Sequence, residues 1–177
     1  MHRYYFRSGS KNYGACTFTV NGYTTRYRAA KITASKIGQF VTLWRQKKNG
    51  PIEPFDIADD IDLILIGTRS KARLGQFVFP ISVLFKKQIV SGKNKTGKIG
   101  SRIYSPRYVA TNRQAKKTQQ WQLPYFFKIA SLMLTDLTLA KKLYAPELIK
   151  QGDLFINNSR LMANHCRLFG WQRPSRI

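Results

Sequence analysis

Arg28-Ala29-Ala30-Lys31-Ile32-Thr33 opens a stretch that passes through Gly38-Gln39-Phe40-Val41-Thr42-Leu43-Trp44-Arg45 and closes on Asp59-Asp60-Ile61-Asp62-Leu63-Ile64-Leu65-Ile66-Gly67. The isoleucine-rich run Ile61–Ile66 has the length of a strand and the composition of one buried in the middle of a sheet. The rest of the stretch is organised around charge. Only eight of the 177 residues are Asp or Glu, and five of them (Glu53, Asp56, Asp59, Asp60 and Asp62) fall within ten residues here.

Upstream of this run, Cys16, Phe18 and Val20 alternate with Thr17 and Thr19, the period of a half-buried strand. Asn21-Gly22 follows as a type I′ hairpin turn, and Tyr23–Ile32 reads as the returning strand. Gln39–Arg45 reads as a third strand, the Lys47-Lys48 loop as a basic turn, and Gln76–Phe79 as a strand closed by Pro80. Ser82–Gln88 suits a short helix, and Arg102–Tyr104 a strand before Pro106. Thr111 is placed to cap a helix carrying Arg113, Lys116 and Lys117, with Ala115, Thr118, Gln119 and Gln122 on one side. Pro124 kinks or restarts that helix, and Phe126, Ile129, Met133 and Leu137 continue it at helical spacing towards Tyr144.

The expected fold is therefore α+β: a central, largely antiparallel sheet of five or six strands with a long C-terminal helix packed on it. Residues 1–13 read as a basic N-terminal arm, 14–144 as a single domain, and 145–177 as a C-terminal extension.

The net charge of +23 points to a polyanionic partner, because an uncompensated charge of that size repels itself in a compact chain. DNA or RNA comes first, since each neutralised phosphate releases counterions. An anionic partner protein is the alternative. Membrane insertion is not expected, as no segment offers the roughly 18 uninterrupted apolar residues of a spanning helix. The basic, aromatic start Met1–Arg7 lacks the apolar region of a signal peptide. Cys16 and Cys166 lie far apart, a count that fits a reducing cytoplasm, with one bridge between them as the alternative.

From Leu63 to Thr135 there are fourteen Lys or Arg and no acid. Lys47, Lys48, Lys93, Lys95, Lys98, Arg102, Arg107, Arg113, Lys116 and Lys117 are the candidate phosphate-contacting cations. Tyr104, Tyr108 and Trp121 lie among them; such aromatics stack on bases or serve the core, and Trp121 reads as core. Catalysis finds less support. A metal-dependent nuclease needs carboxylates for Mg²⁺ and a lysine beside the attacked water. Asp60 and Asp62 on one strand face, with Lys31 alongside, are the candidates, but the next strand offers Gln76 where a second acid is needed. No cofactor is expected outside that alternative. The plainer role for Asp59, Asp60 and Asp62 is to neutralise Lys31, Arg28 and Lys36 and so fix strand register. His2, His165 and Cys166 have no spacing for zinc, and the loop from Gly92 to Gly100 lacks phosphate-loop spacing.

Ala30-Lys31-Ile32-Thr33, Lys36–Trp44, Gly50-Pro51-Ile52 with Pro54-Phe55, Asp59-Asp60-Ile61-Asp62 and Gly75–Pro80 occur in one order. Tyr104 with Pro106 and Gln114–Gln122 follow. Over residues 13–144 this set resembles the MepB family. The resemblance implies a small bacterial cytoplasmic protein, some members being encoded beside a multidrug efflux transporter, and a restriction-endonuclease-like fold. Members commonly carry a glutamate just before the Tyr-Gly-Ala motif; here that position is Asn12, which weakens any shared metal or catalytic role.

Overall fold

The computed structural model describes residues 15–46, 50–71, 73–129 and 137–144. Strands β1 (Cys16–Val20) and β2 (Tyr23–Ala29) form the expected antiparallel hairpin. Asn21 and Gly22 turn it with φ of +50° and +82°, the left-handed pair that a two-residue connection between twisted strands requires. The chain then makes β3 (Lys31–Ile32), β4 (Gln39–Thr42), β5 (Trp44–Gln46) and β6 (Ile52–Pro54) before entering β7 (Leu63–Ser70). A tight connection leads into β8 (Arg73–Pro80), and helix α1 (Ile81–Lys86) follows directly. After β9 (Gly100–Ile103) come α2 (Arg113–Gln122), a 3-10 turn at Leu123–Tyr125, β10 (Phe126–Ile129) and α3 (Leu137–Tyr144).

The main sheet has the order β1-β2-β7-β8-β10. Its centre is β7, the apolar run singled out in the sequence, and Leu63–Thr68 are buried. Alternate side chains of β7 enter two cores. Ile64 and Ile66 join Phe77, Phe79, Val41, Leu43, Phe55 and Leu84 on one face. Leu63 and Leu65 join Phe18, Val20, Tyr27, Val78, Phe127 and Leu143 on the other. Burial on both faces is why the run is continuously apolar and not alternating. The first core is closed by Val41 of β4, Ile103 of β9, Leu43 and Phe55 next to β5 and β6, Leu84 of α1 and Trp121 of α2. It contains a ring stack: Phe79 lies 5.5 Å from Phe77, 5.5 Å from Trp121 and 5.4 Å from Tyr125. Trp121 is thus half-buried against this core, in keeping with its reading as a core residue.

The α+β class holds, with two corrections. The sheet is mixed, because β2 and β7 run parallel, Thr25 opposite Leu63 through Ala29 opposite Gly67. A parallel pair needs a long crossover, and residues 30–62 supply it by building β3 to β6 over one sheet face. The five-stranded sheet is accompanied by separate sheets of three and two strands. The long C-terminal helix is absent among the described residues. Helix α2 ends at Gln122, and Phe126–Ile129 form an edge strand antiparallel to β8, Phe126 opposite Phe77. Four residues of the type Phe-Phe-Lys-Ile satisfy period 2 as well as i, i+3 spacing, and pairing with β8 decides between them. Helix α3 has eight residues, and Leu143 and Tyr144 pack on the second core.

Smaller differences have local causes. The cap of α2 is Asn112, not Thr111; its Oδ1 accepts from the Ala115 N–H at 2.8 Å. The strand read over Tyr23–Ile32 breaks at Ala30, whose N–H still donates to Gly67 O at 2.8 Å before the chain leaves for the small sheet. Gln39–Arg45 likewise divides at Leu43 between β4 and β5.

Candidate cationic interface

The acidic turn lies where β7 begins. Asp60 and Asp62 precede the strand and do not share a strand face; both are exposed. The Asp62 carboxylate accepts from the Thr24 N–H at 2.7 Å, and the Asp62 N–H donates to Thr24 O at 2.8 Å. Asp59 accepts from the Asp56 N–H, and Asp56 from the Ala58 N–H. Arg45 lies between Glu53, 2.8 Å away, and Asp59. The acids therefore hold backbone amides and Arg45 in register.

Arg28, expected to meet this cluster, turns elsewhere. It donates to Tyr27 O at 3.1 Å and Trp44 O at 3.2 Å and lies 5.3 Å from the centre of the Phe55 ring. Burial, reinforced by the like charge of Arg26, pushes it down to about 10. Lys31 and Lys36 are exposed.

Among the described residues no three His, Cys, Asp or Glu side chains gather as a metal site would require. Gln76, the residue at which the nuclease alternative needs an acid, is buried, and its Oε1 accepts from the Tyr144 hydroxyl at 2.9 Å. Burial pushes that hydroxyl up, and the Gln76 bond opposes the shift. Cys16 is buried on the second core, and desolvation raises its thiol to about 11. Both groups stay protonated at neutral pH.

The candidate cations spread from this acidic end to the opposite end of β7. Lys93, Lys95 and Lys98 are exposed on a loop held beside the acidic turn, since Ser91 N donates to Phe55 O and Ile57 N to Ser91 O. Arg102 is half-buried on β9. Its Nη1 donates to Lys36 O at 3.2 Å and lies near Gly38 O at 3.4 Å, and its guanidinium sits 5.9 Å from the Phe40 ring centre. Arg113, Lys116 and Lys117 are exposed on α2. Lys47 and Lys48 lie outside the described residues.

One buried side chain ties α2 to β9. Gln122 Oε1 accepts from Tyr104 N at 2.9 Å, and its Nε2 donates to Arg102 O at 2.8 Å. Gln119 Nε2 donates to Ser105 O at 3.1 Å and Tyr108 O at 2.7 Å. These amides fix the helix and the 102–108 segment as one unit, so the α2 cations have a set position relative to Arg102 and Arg107.

Arg107 reaches across to the end of β7. Its Nη1 lies 3.5 Å from Ser70 O, and its guanidinium sits 5.2 Å from the Tyr108 ring centre. This contact joins the α2 segment to the tip of the β7-β8 hairpin, where Arg69, Lys71 and Arg73 are all exposed. The sequence shows these three cations only as a basic turn. Their signal was available, since three charges follow closely on the apolar run Leu63–Ile66, but their proximity to Arg107 depends on folding.

A profile of the MepB-like family matches residues 7–128. A solved structure, titled Crystal Structure of MepB, is similar at 29% identity with a TM-score of 0.69, over 73% of this chain and 87% of that one. A search of curated proteins returns no match. No helix among the described residues is long and apolar enough to cross a membrane.

Proposed function

This chain belongs to the MepB-like family, and on that premise we propose that it is a nucleic-acid-binding protein that grips phosphates through the cations following β7 and acts without catalysis of its own. The observation that carries the reading is the separation of charge. Residues 63–135 hold fourteen Lys or Arg and no acid. The five acids of the described residues are instead confined to positions 53–62, where Glu53 and Asp59 meet Arg45 and Asp56, Asp59 and Asp62 accept from backbone amides. Lys93, Lys95 and Lys98 at one end, and Arg113, Lys116 and Lys117 at the other, keep their ammonium and guanidinium groups in water. Long exposed cations on a braced framework suit phosphate contact, which positions a partner without reading its sequence. Arg102 and Arg107 are placed to contribute field more than direct contact, since each already serves backbone carbonyls.

The test is a gel shift at low salt with single-stranded DNA, duplex DNA and RNA, repeated across a salt series and with Mg²⁺. About six phosphate contacts would lower affinity roughly 10³-fold between about 50 and 200 mM salt. Absence of binding at low salt, or binding indifferent to salt, removes the proposal. Mg²⁺-dependent cutting that disappears in Asp60→Ala/Asp62→Ala would replace it with the nuclease reading. Retention of one acidic protein, undisturbed by nuclease treatment, would replace it with an anionic protein partner.

A further inference from the structure

The β7-β8 hairpin outruns its neighbours. Pairing of β2 with β7 ends at Gly67, and the described part of β10 ends opposite Leu74. Beyond Gly67 the hairpin continues past β2, Thr68 opposite Gly75, Arg69 opposite Leu74 and Ser70 opposite Arg73; Lys128 and Ile129 of β10 still flank Gly75 and Leu74, so the last pair alone lies past both described neighbours. Three residues past Gly67 carry β7 about 10 Å beyond the end of β2 at ~3.4 Å per residue. The closing pair leaves a two-residue connection, and Lys71 in it adopts φ +52°.

The two faces of this projecting ribbon carry charge of the same sign. Arg69 is in phase with Leu63 and Leu65, which enter the second core; Arg73 is in phase with Phe77 and Phe79, which enter the first. The arginines therefore leave opposite faces, and Lys71 stands at the tip. All three are exposed, and none forms an ion pair with a carboxylate among the described residues.

The ribbon is also braced. Where β2 has departed, the Gln39 side chain takes its place, Nε2 donating to Arg69 O at 2.8 Å. Arg107 approaches Ser70 O on the next residue. Both braces leave a buried polar atom without a partner, Gln39 Oε1 and Arg107 Nε. The brace holds the position of the tip.

From this geometry we infer that the Arg69–Arg73 tip is a wedge that enters the major groove of B-form duplex DNA, with Arg69 and Arg73 meeting the phosphates of the two opposite groove walls. The inference rests on the nucleic-acid reading above and names the form of nucleic acid. A flat cationic face suits one strand, whereas a ribbon charged on both faces suits a cleft with phosphates on each side. The B-DNA major groove is about 12 Å wide and admits a two-stranded ribbon. The A-form major groove is too narrow for it.

Fluorescence anisotropy with a labelled DNA duplex, its separated strands and an RNA duplex of the same sequence tests this on the full chain. For Arg69→Ala/Arg73→Ala, duplex-DNA affinity is expected to fall at least about tenfold, with the salt slope reduced by about 2, while single-strand affinity changes far less. Arg69→Lys/Arg73→Lys should restore most of the loss, and both variants should melt with the wild type because the side chains are exposed. Equal losses on duplex and single strand, no loss on the duplex, or RNA duplex bound as tightly as DNA duplex overturns the wedge while leaving nucleic-acid binding in place. Wild type that binds none of the three probes overturns both.

Discussion

Replacing Gln122 by Leu should unfold much of the molecule's margin of stability while leaving its net charge at +23. Gln122 is fully buried and serves two backbone groups, accepting from Tyr104 N at 2.9 Å and donating to Arg102 O at 2.8 Å. Leucine is of similar volume, so the cavity term is small. The dominant effect is that an N–H and a C=O of the segment beside α2 lose their partners inside the protein. At roughly 1–3 kcal/mol for each of the two stranded groups, the loss is about 2–6 kcal/mol. That is a large share of the 5–15 kcal/mol typical of a domain, and it corresponds to a fall in melting temperature on the order of 10 °C. Urea denaturation of both proteins, followed by Trp fluorescence, measures it directly. Gln122→Glu separates the two bonds, because a carboxylate still accepts from Tyr104 N but cannot donate to Arg102 O. It should be at least as damaging as the leucine. A change below about 1 kcal/mol for Gln122→Leu would show that the 102–104 backbone is solvated or re-paired, and that the amide does not clamp α2.

Gly67→Ala should cost about 2–4 kcal/mol, because a Cβ there collides with the buried Tyr27 hydroxyl; combining it with Tyr27→Phe should recover part of the loss in a double-mutant cycle. Asn112→Ala removes the cap on Ala115 N and should lower stability by about 1 kcal/mol in thermal melts, with Asn112→Asp close to wild type. The Cys16 thiol is raised from 9.0 to about 11 by burial, so the folded state holds its proton more tightly than the unfolded chain does. Its contribution is complete below pH 9 and disappears as pH rises through 11. Denaturation at pH 8 and pH 10.5 should show a steeper loss for wild type than for Cys16→Ala, and parallel behaviour would contradict the burial of that thiol. Arg45→Met removes a cation that pairs with both Glu53 and Asp59. It should cost less than Gln122→Leu, since Arg45 is 40% exposed and solvent screens the pairs, and equal losses in melts would reverse that order.

Several features of the fold were legible because they depend on neighbours in the chain. The alternation at Cys16–Val20, the Asn21-Gly22 turn and the apolar Leu63–Ile66 run each declare their local conformation, and the ordered motifs from Ala30 to Gln122 carry the family resemblance. The concentration of acids at 53–62 and their absence from 63–135 were equally plain. What the chain could not declare is pairing between distant segments. The Phe126–Ile129 segment fits a helix or a strand until β8 offers its free edge. The direction of β2 against β7 follows from how residues 30–62 cross over one sheet face, a property of thirty-three residues folding together. The acids found Arg45, eight residues from Glu53 and fourteen from Asp59, while Arg28 found Trp44 O and the Phe55 ring.

The candidate interface divides in the same way. Sequence alone determined its charge, because composition sets the field that a polyanion meets at a distance. Tertiary structure decided its shape. Only when β2 ends at Gly67 and Gln39 and Arg107 close on Arg69 and Ser70 does a basic turn become a projecting ribbon with an arginine on each face. The physical reason is that charge adds up along a chain whatever its conformation, whereas projection exists only relative to neighbours that stop short.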